Sequence, residues 1–208
     1  MANGAERMLF NSFQFILFFA VVFGLYAALP RRGQNALLLV ASYTFYGAWD
    51  WRFLGLLAFS TVADYYFGRW IEASDDTRCR KQLVAASMVV NLTFLGFFKY
   101  FNFFLDSFAD LCGWFGFTPD LPTLKIILPV GISFYTFQSM SYVIDVYRKR
   151  LTASRSLADF SLFVAFFPQL VAGPIERATN LLAQITSDRR ISHFGLTHGS
   201  YLILWGFF

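Results

Sequence analysis

The sequence predicts an all-α fold: a polytopic integral membrane helical bundle of about five to six spans plus one re-entrant segment. Three observations predict it. Hydrophobic residues make up 57% of the 208-residue chain and charged residues 14%, against roughly 45–50% and about 25% in soluble domains. A small water-soluble core could not hide that much apolar surface, 28 phenylalanines included, because a small domain leaves a large share of its residues outside. Apolar runs near the length of a membrane-crossing helix recur, and basic residues fall between them in a one-sided pattern. A disordered segment, a nucleic-acid-binding domain and a secreted disulfide scaffold are thereby excluded.

Taken in order, residues 9–29 form the first run, closed by Pro30, Arg31 and Arg32. A signal peptide has a shorter apolar region of about 7–15 residues and a small-residue cleavage site, so this run reads as a retained span. Residues 36–49 are apolar but short for a crossing. Residues 53–70 and 83–105 are clear spans, and residues 126–147 form a further long stretch. Residues 74–80 and 147–156 read as charged loops, and no repeat or linker divides the chain, so residues 1–208 form one membrane domain.

Residues 160–175 are apolar but broken by Pro168 and by Gly173-Pro174. Proline removes a backbone donor and bends a helix. Irregular backbone at membrane depth persists only where protein or a watery cavity covers it. A re-entrant element is therefore expected in preference to a broken crossing helix.

Basic residues set the orientation. With the amino terminus outside and residues 36–49 crossing, Arg31, Arg32, Arg69, Arg78, Arg80, Lys81, Arg148, Lys149, Arg150 and Arg155 are cytoplasmic. Arg7, Arg52 and Lys125 are outside. This is the stronger asymmetry of the two possible arrangements. The net charge of +4 reflects those loops and calls for no nucleic-acid partner. Cys79 falls inside and Cys112 outside, so they cannot pair, and two cysteines are too few for a metal site. The final run, residues 199–208, would reach only about 15 Å as helix, and a carboxylate at half depth is costly. The chain is thus expected to be the first part of a longer protein.

Ionisable groups inside apolar runs are functional candidates by default. Asp64 is the sharpest, midway along its run with Arg69 five residues on; an interhelical hydrogen bond is the structural alternative. Asn91 suits helix–helix bonding, and Lys99 suits the outer interface, where a lysine snorkels. Asp145 and Arg148 stand three apart and could pair. His193 and His198 fall in a loop before the last run, without a neighbouring cysteine, acidic cluster or nucleophile, so neither a metal site nor a catalytic residue is assigned.

Two strings carry more: Leu128-Pro-Val-Gly-Ile-Ser-Phe-Tyr-Thr-Phe-Gln138, continuing through Tyr142-Val-Ile-Asp-Val-Tyr-Arg148, and Phe167-Pro-Gln-Leu-Val-Ala-Gly-Pro-Ile-Glu-Arg177. Gly96-Phe-Phe-Lys-Tyr-Phe-Asn-Phe-Phe104 and the opening Leu9-Phe-Asn-Ser-Phe-Gln-Phe15 accompany them. From residue 9 onward the chain resembles the membrane-bound O-acyltransferase family. The likeness is to its bacterial branch of alginate O-acetylation, peptidoglycan O-acetyltransferase and D-alanyl transfer proteins.

The resemblance implies a multi-pass protein of the bacterial cytoplasmic membrane. It would hold no bound cofactor, and would take an acyl group from a thioester donor, acetyl-CoA or an acyl carrier protein. The group passes through a tunnel to an extracytoplasmic acceptor, such as a polysaccharide, or to a partner protein. The family's catalytic histidine lies in the second half of its members, and neither histidine here matches that motif, so the chain alone is expected to be inactive. Gln138, Asp145, Gln169, Glu176 and Arg177, together with Asp64, are the candidates for the acyl tunnel or donor site. The five from Gln138 onward are expected to meet on the cytoplasmic side. A non-catalytic membrane scaffold for a partner acyltransferase, and a transporter or channel, are the alternative readings.

Overall fold

The computed structural model describes residues 10, 12–115, 127–170, 173, 174, 176–189 and 191–206. Arg7, Lys125 and Arg190, and the predicted segment ends at residues 9, 126, 175, 207 and 208, lie outside the described residues. Among the described residues the regular structure is helical throughout, with no strand.

Helix α1 (Phe13–Ala28) starts where Ser12 accepts a hydrogen bond from the Phe15 N–H at 3.1 Å, a serine N-cap. It stops before Leu29-Pro30. Helix α2 (Arg31–Asp50) begins at once, because the Pro30 carbonyl accepts from the Gln34 N–H at 2.8 Å. The short apolar run thus sits inside a 20-residue helix, about 30 Å long. Its polar first turn hid that length from a hydropathy reading. A 3-10 turn (Trp51–Phe53), held by the Asp50 carboxylate on the Arg52 N–H and guanidinium, leads into α3 (Leu54–Ala73).

Helix α4 (Thr77–Trp114) has 38 residues, about 57 Å, and overruns the predicted 83–105 at both ends. Its early start has a local cause: Asp76 accepts from the N–H groups of Arg78 and Cys79 at 2.9 and 3.3 Å, so most of the expected 74–80 loop is the first helical turn. By length and composition together, α4 is the helix among the described residues that is long and apolar enough to cross a membrane, with a mean hydropathy of 1.5. Helix α1 and residues 157–170 are shorter apolar helices.

Helix α5 (Ile132–Tyr147) is shorter than its predicted run, since Gly131 takes a left-handed φ of 75° and the chain before it is not helical. Beyond the 148–156 loop come α6 (Leu157–Ala165), α7 (Phe167–Leu170), α8 (Ala178–Thr186) and α9 (His193–Gly206). His193 and His198 lie on α9, not in a loop, with the His198 ring stacked 5.9 Å from Phe194. Helix α9 buries none of its described residues.

The core forms where α3, α4, α5 and α6 meet, around Leu57, Ile71, Tyr142, Phe160 and Phe163. An ideal Cβ on Gly68 would stand 2.6 Å from the Tyr142 ring, so α3 and α5 approach as closely as they do because position 68 has no side chain. A second, aromatic cluster joins α1, α2 and α7 through Phe15, Phe18, Phe45 and Phe167. Outside these cores the helices expose Phe13, Ile16, Leu17, Phe59, Val89, Phe103 and Phe104. Exposed apolar side chains in this number suit contact with another protein or with lipid.

Candidate functional site: a broken hairpin on a buried polar belt

Helices α6 and α8 pack against each other, and each has nine residues, about 13.5 Å or roughly half a bilayer core. The side-chain amide of Asn35 on α2 fixes where both begin and end. Its Nδ2 donates to Asp159 Oδ1 in the first turn of α6 at 2.8 Å and to the Ile185 carbonyl at the end of α8 at 3.1 Å. The segment leaves the level of Asn35 and returns to it. At the far end, the Phe167 N–H meets Ser42, two helical turns further along α2. The geometry is that of a broken helical hairpin whose two feet lie at the level of Asn35.

The break between α6 and α7 is satisfied from two neighbouring helices. In an unbroken helix the Phe167 N–H would bond to the Phe163 carbonyl. Here the Phe167 N–H donates to Ser42 Oγ at 3.1 Å, while Phe163 accepts from Gln138 Nε2 of α5 at 2.6 Å. Ser42 passes its own hydrogen to the Leu38 carbonyl at 2.7 Å. A buried donor and acceptor left alone would each cost about 1–3 kcal/mol, so Ser42 and Gln138 make the break possible.

The tip of the hairpin lies against the start of α5. An ideal Cβ on Gly131 would stand 2.5 Å from the Leu170 carbonyl, a second reason, beside its positive φ, why glycine occupies this position. Gln169 closes the turn: its Nε2 donates to the Pro174 carbonyl at 2.8 Å, and the Gly173 N–H donates to the Gln169 carbonyl at 2.9 Å.

A belt of buried polar side chains also ties α3 to α4 within otherwise apolar helices. Asp64 is fully buried and accepts from Ser87 Oγ at 2.7 Å and from Asn91 Nδ2 at 2.9 Å to each carboxylate oxygen. Asn91 Oδ1 accepts from Ser60 at 3.2 Å, and Ser139 of α5 faces the same carboxylate. Asn91 is therefore the α3–α4 tie that its position suggested. Tyr46 and Tyr135 extend the belt, both buried, each hydroxyl without a satisfying hydrogen-bond geometry. Tyr46 also borders a cavity of about 110 Å³ with Trp49, Asp50 and Leu128.

The sequence-chosen residues do not gather at one point. Gln138 and Gln169 both serve the broken hairpin, and Asp64 lies in the belt. Asp145 is buried on α5, but the ion pairs among the described residues are Arg31–Asp188 and Arg52–Asp50, so the Asp145–Arg148 pair does not form. Glu176 accepts from Asn180 Nδ2 at 3.0 Å, and Arg177 is the exposed residue preceding α8. The Phe163 carbonyl holds Gln138 and the Pro174 carbonyl holds Gln169, so these two are engaged near the break and not with Glu176 or Arg177.

Sequence reading missed Ser42, Asn35 and Arg80. Arg80 is buried and donates to the Tyr147 carbonyl at 2.6 Å, closing the end of α5. A polar residue every seven along α2 (Asn35, Ser42) was the visible signal. Among the described residues no group of three or more His, Cys, Asp or Glu could hold a metal ion.

Comparison with known proteins finds similar sequences among curated O-acetylating proteins. The chain is 46% identical over 179 residues to a protein of Azotobacter vinelandii named "Probable alginate O-acetylase AlgI", covering 85% of this chain and 36% of the relative. The Pseudomonas aeruginosa protein of the same name is also 46% identical over 85% of the chain and 34% of its own length. The "Peptidoglycan O-acetyltransferase" of Helicobacter pylori is 30% identical over 97% of this chain and 43% of the relative. The chain thus spans about a third to two fifths of the length of these curated relatives. No family model matches, and no solved structure does.

The names and identities of these relatives are consistent with the resemblance to the membrane-bound O-acyltransferase family. Within that family, the chain is similar to the proteins named for alginate and peptidoglycan O-acetylation.

Proposed function

We propose that this chain is the membrane-embedded scaffold of an O-acyltransferase that acetylates an extracytoplasmic polysaccharide of the alginate kind. It sits as a multi-pass bundle in the bacterial cytoplasmic membrane, with the Arg31 end of α2 and the Tyr147 end of α5 facing the cytoplasm. The acyl group comes from a cytoplasmic thioester, acetyl-CoA or an acyl carrier protein, and leaves to an outer acceptor or a partner protein. The carrying observation is the broken hairpin of α6 and α8, whose break is satisfied by Ser42 and Gln138. Backbone of that kind inside a bilayer lines or walls a cavity.

In this reading Asp64, Gln138, Asp145, Gln169, Glu176 and Arg177 shape the wall of the acyl path and the donor entrance. Reacting atoms are held elsewhere: His193 and His198 ride on the exposed helix α9, away from the belt, and the chain by itself transfers no acyl group.

A chimera tests this. The corresponding segment of the Azotobacter protein is replaced by residues 1–208 and expressed in a strain lacking that protein. Acetyl esters on the secreted polymer are expected to return with the chimera and to stay absent with residues 1–208 alone. A chimera present in the membrane at normal level that restores no ester contradicts the proposal.

A further inference from the structure

An apolar groove of about 280 Å³ runs between α1, α2, α7 and α8, walled by Phe19, Phe23, Leu38, Phe167 and Leu181, with Tyr26 and Arg189 also on its lining. Phe19 and Phe23 are exposed on their outer sides, so the groove opens toward the lipid-facing surface of the bundle.

Arg189 is only partly satisfied. Its guanidinium donates to Asn35 Oδ1 and lies 5.7 Å from the Tyr26 ring centroid, yet its Nε is buried and has no hydrogen-bond partner. Gln34, bonded through Nε2 to the Tyr26 carbonyl at 3.2 Å, has a buried Oε1 that is equally alone. Two acids stand at this end, Asp188 engaged by Arg31 at 3.7 Å and Asp159 accepting from Asn35 at 2.8 Å, and neither forms an ion pair with Arg189. A buried cationic donor without an acceptor is costly, and an oxyanion at the mouth of the groove would supply one.

We propose that this groove holds one anionic phospholipid of the cytoplasmic leaflet, its acyl chain along the aromatic wall and its phosphate on Arg189. Basic pockets between membrane helices on the cytoplasmic side recognise anionic head groups by this combination of charge and apolar wall. The proposal rests on the membrane orientation given above but not on acyl transfer. It makes the lipid a clasp: α1 and α8, far apart in sequence, are joined through a molecule that both touch.

The test uses the whole chain extracted in a mild non-ionic detergent, stripped of lipid, and exposed to phosphatidylglycerol or phosphatidylcholine, with bound lipid counted by native mass spectrometry. Phosphatidylglycerol is expected to be retained about fivefold better, and Arg189→Gln is expected to bring it down to the phosphatidylcholine level. Leu181→Trp, which narrows the groove without touching the charge, is expected to lower both lipids. Equal retention of the two lipids by the unaltered chain overturns the proposal, with no variant needed. So does an unchanged preference in Arg189→Gln. A chain that leaves cells soluble without detergent fails the membrane reading instead, so the two failures are distinguishable.

Discussion

Asn35 holds Asp159 at 2.8 Å and, with the same nitrogen, the Ile185 carbonyl at 3.1 Å. One side chain on α2 therefore pins both feet of a hairpin whose break at Phe167 meets Ser42, two helical turns further along α2. The expected outcome of Asn35→Ala is a loosened hairpin. Asp159 and Ile185 lose a buried partner, at about 1–3 kcal/mol. Thermal unfolding in detergent should show a lower midpoint, with proteolysis appearing first in the 166–177 stretch. An unchanged midpoint and cleavage pattern would mean that the feet are held by packing alone.

Gln138 and Ser42 share the work of satisfying the break after α6. Gln138→Leu orphans the Phe163 carbonyl and should cost about 1–3 kcal/mol. Gln138→Leu and Ser42→Ala together should cost less than the sum of the two, because once the break is loosened water or a relaxed turn serves both groups. Strict additivity in a double-mutant cycle would show that the two bonds are independent.

Gly131 faces two obstacles to any side chain, a φ of 75° and the Leu170 carbonyl 2.5 Å from an ideal Cβ. Gly131→Ala is therefore expected to push the hairpin tip away from α5, with a loss beyond the roughly 1–2 kcal/mol of a left-handed non-glycine residue. Membrane-integrated yield and thermal midpoint should both fall. Gly24→Ala, where nothing lies within 4 Å, is the matched control and should change neither.

Asp64 accepts from two side chains of α4. Asp64→Leu leaves Ser87 and Asn91 with unused donors and should separate α3 from α4. Inside membranes such interhelical bonds average about 0.6 kcal/mol each, so a loss near 1 kcal/mol is expected, read from the detergent unfolding midpoint. A more stable variant would show that burying the carboxyl costs more than its bonds return.

Helix was legible in the sequence wherever apolar residues ran long, as in residues 53–70. Lengths were less so. Asp76 starts α4 six residues before the apolar run, and Pro30 starts α2 five residues early. Both are capping effects that a hydropathy window averages away. The break after α6 could be read from Pro168 and Gly173-Pro174 because breakers act locally. The partners of that break could not be read: Gln138 stands 25 residues from Phe163, and Ser42 stands 125 from Phe167. Asp64 stood out as an acid in an apolar run, whereas Asn35 and Ser42 offered only their spacing of seven along α2 and Tyr135 offered no signal.

Cys79 and Cys112 sit at opposite ends of α4, about 50 Å apart along the helix axis, and they test the membrane-crossing bundle most directly. In intact cells a membrane-impermeant thiol reagent is expected to label Cys112 and to reach Cys79 only after the membrane is opened. Labelling of Cys79 alone, or of both cysteines at equal rates in sealed cells, would contradict it.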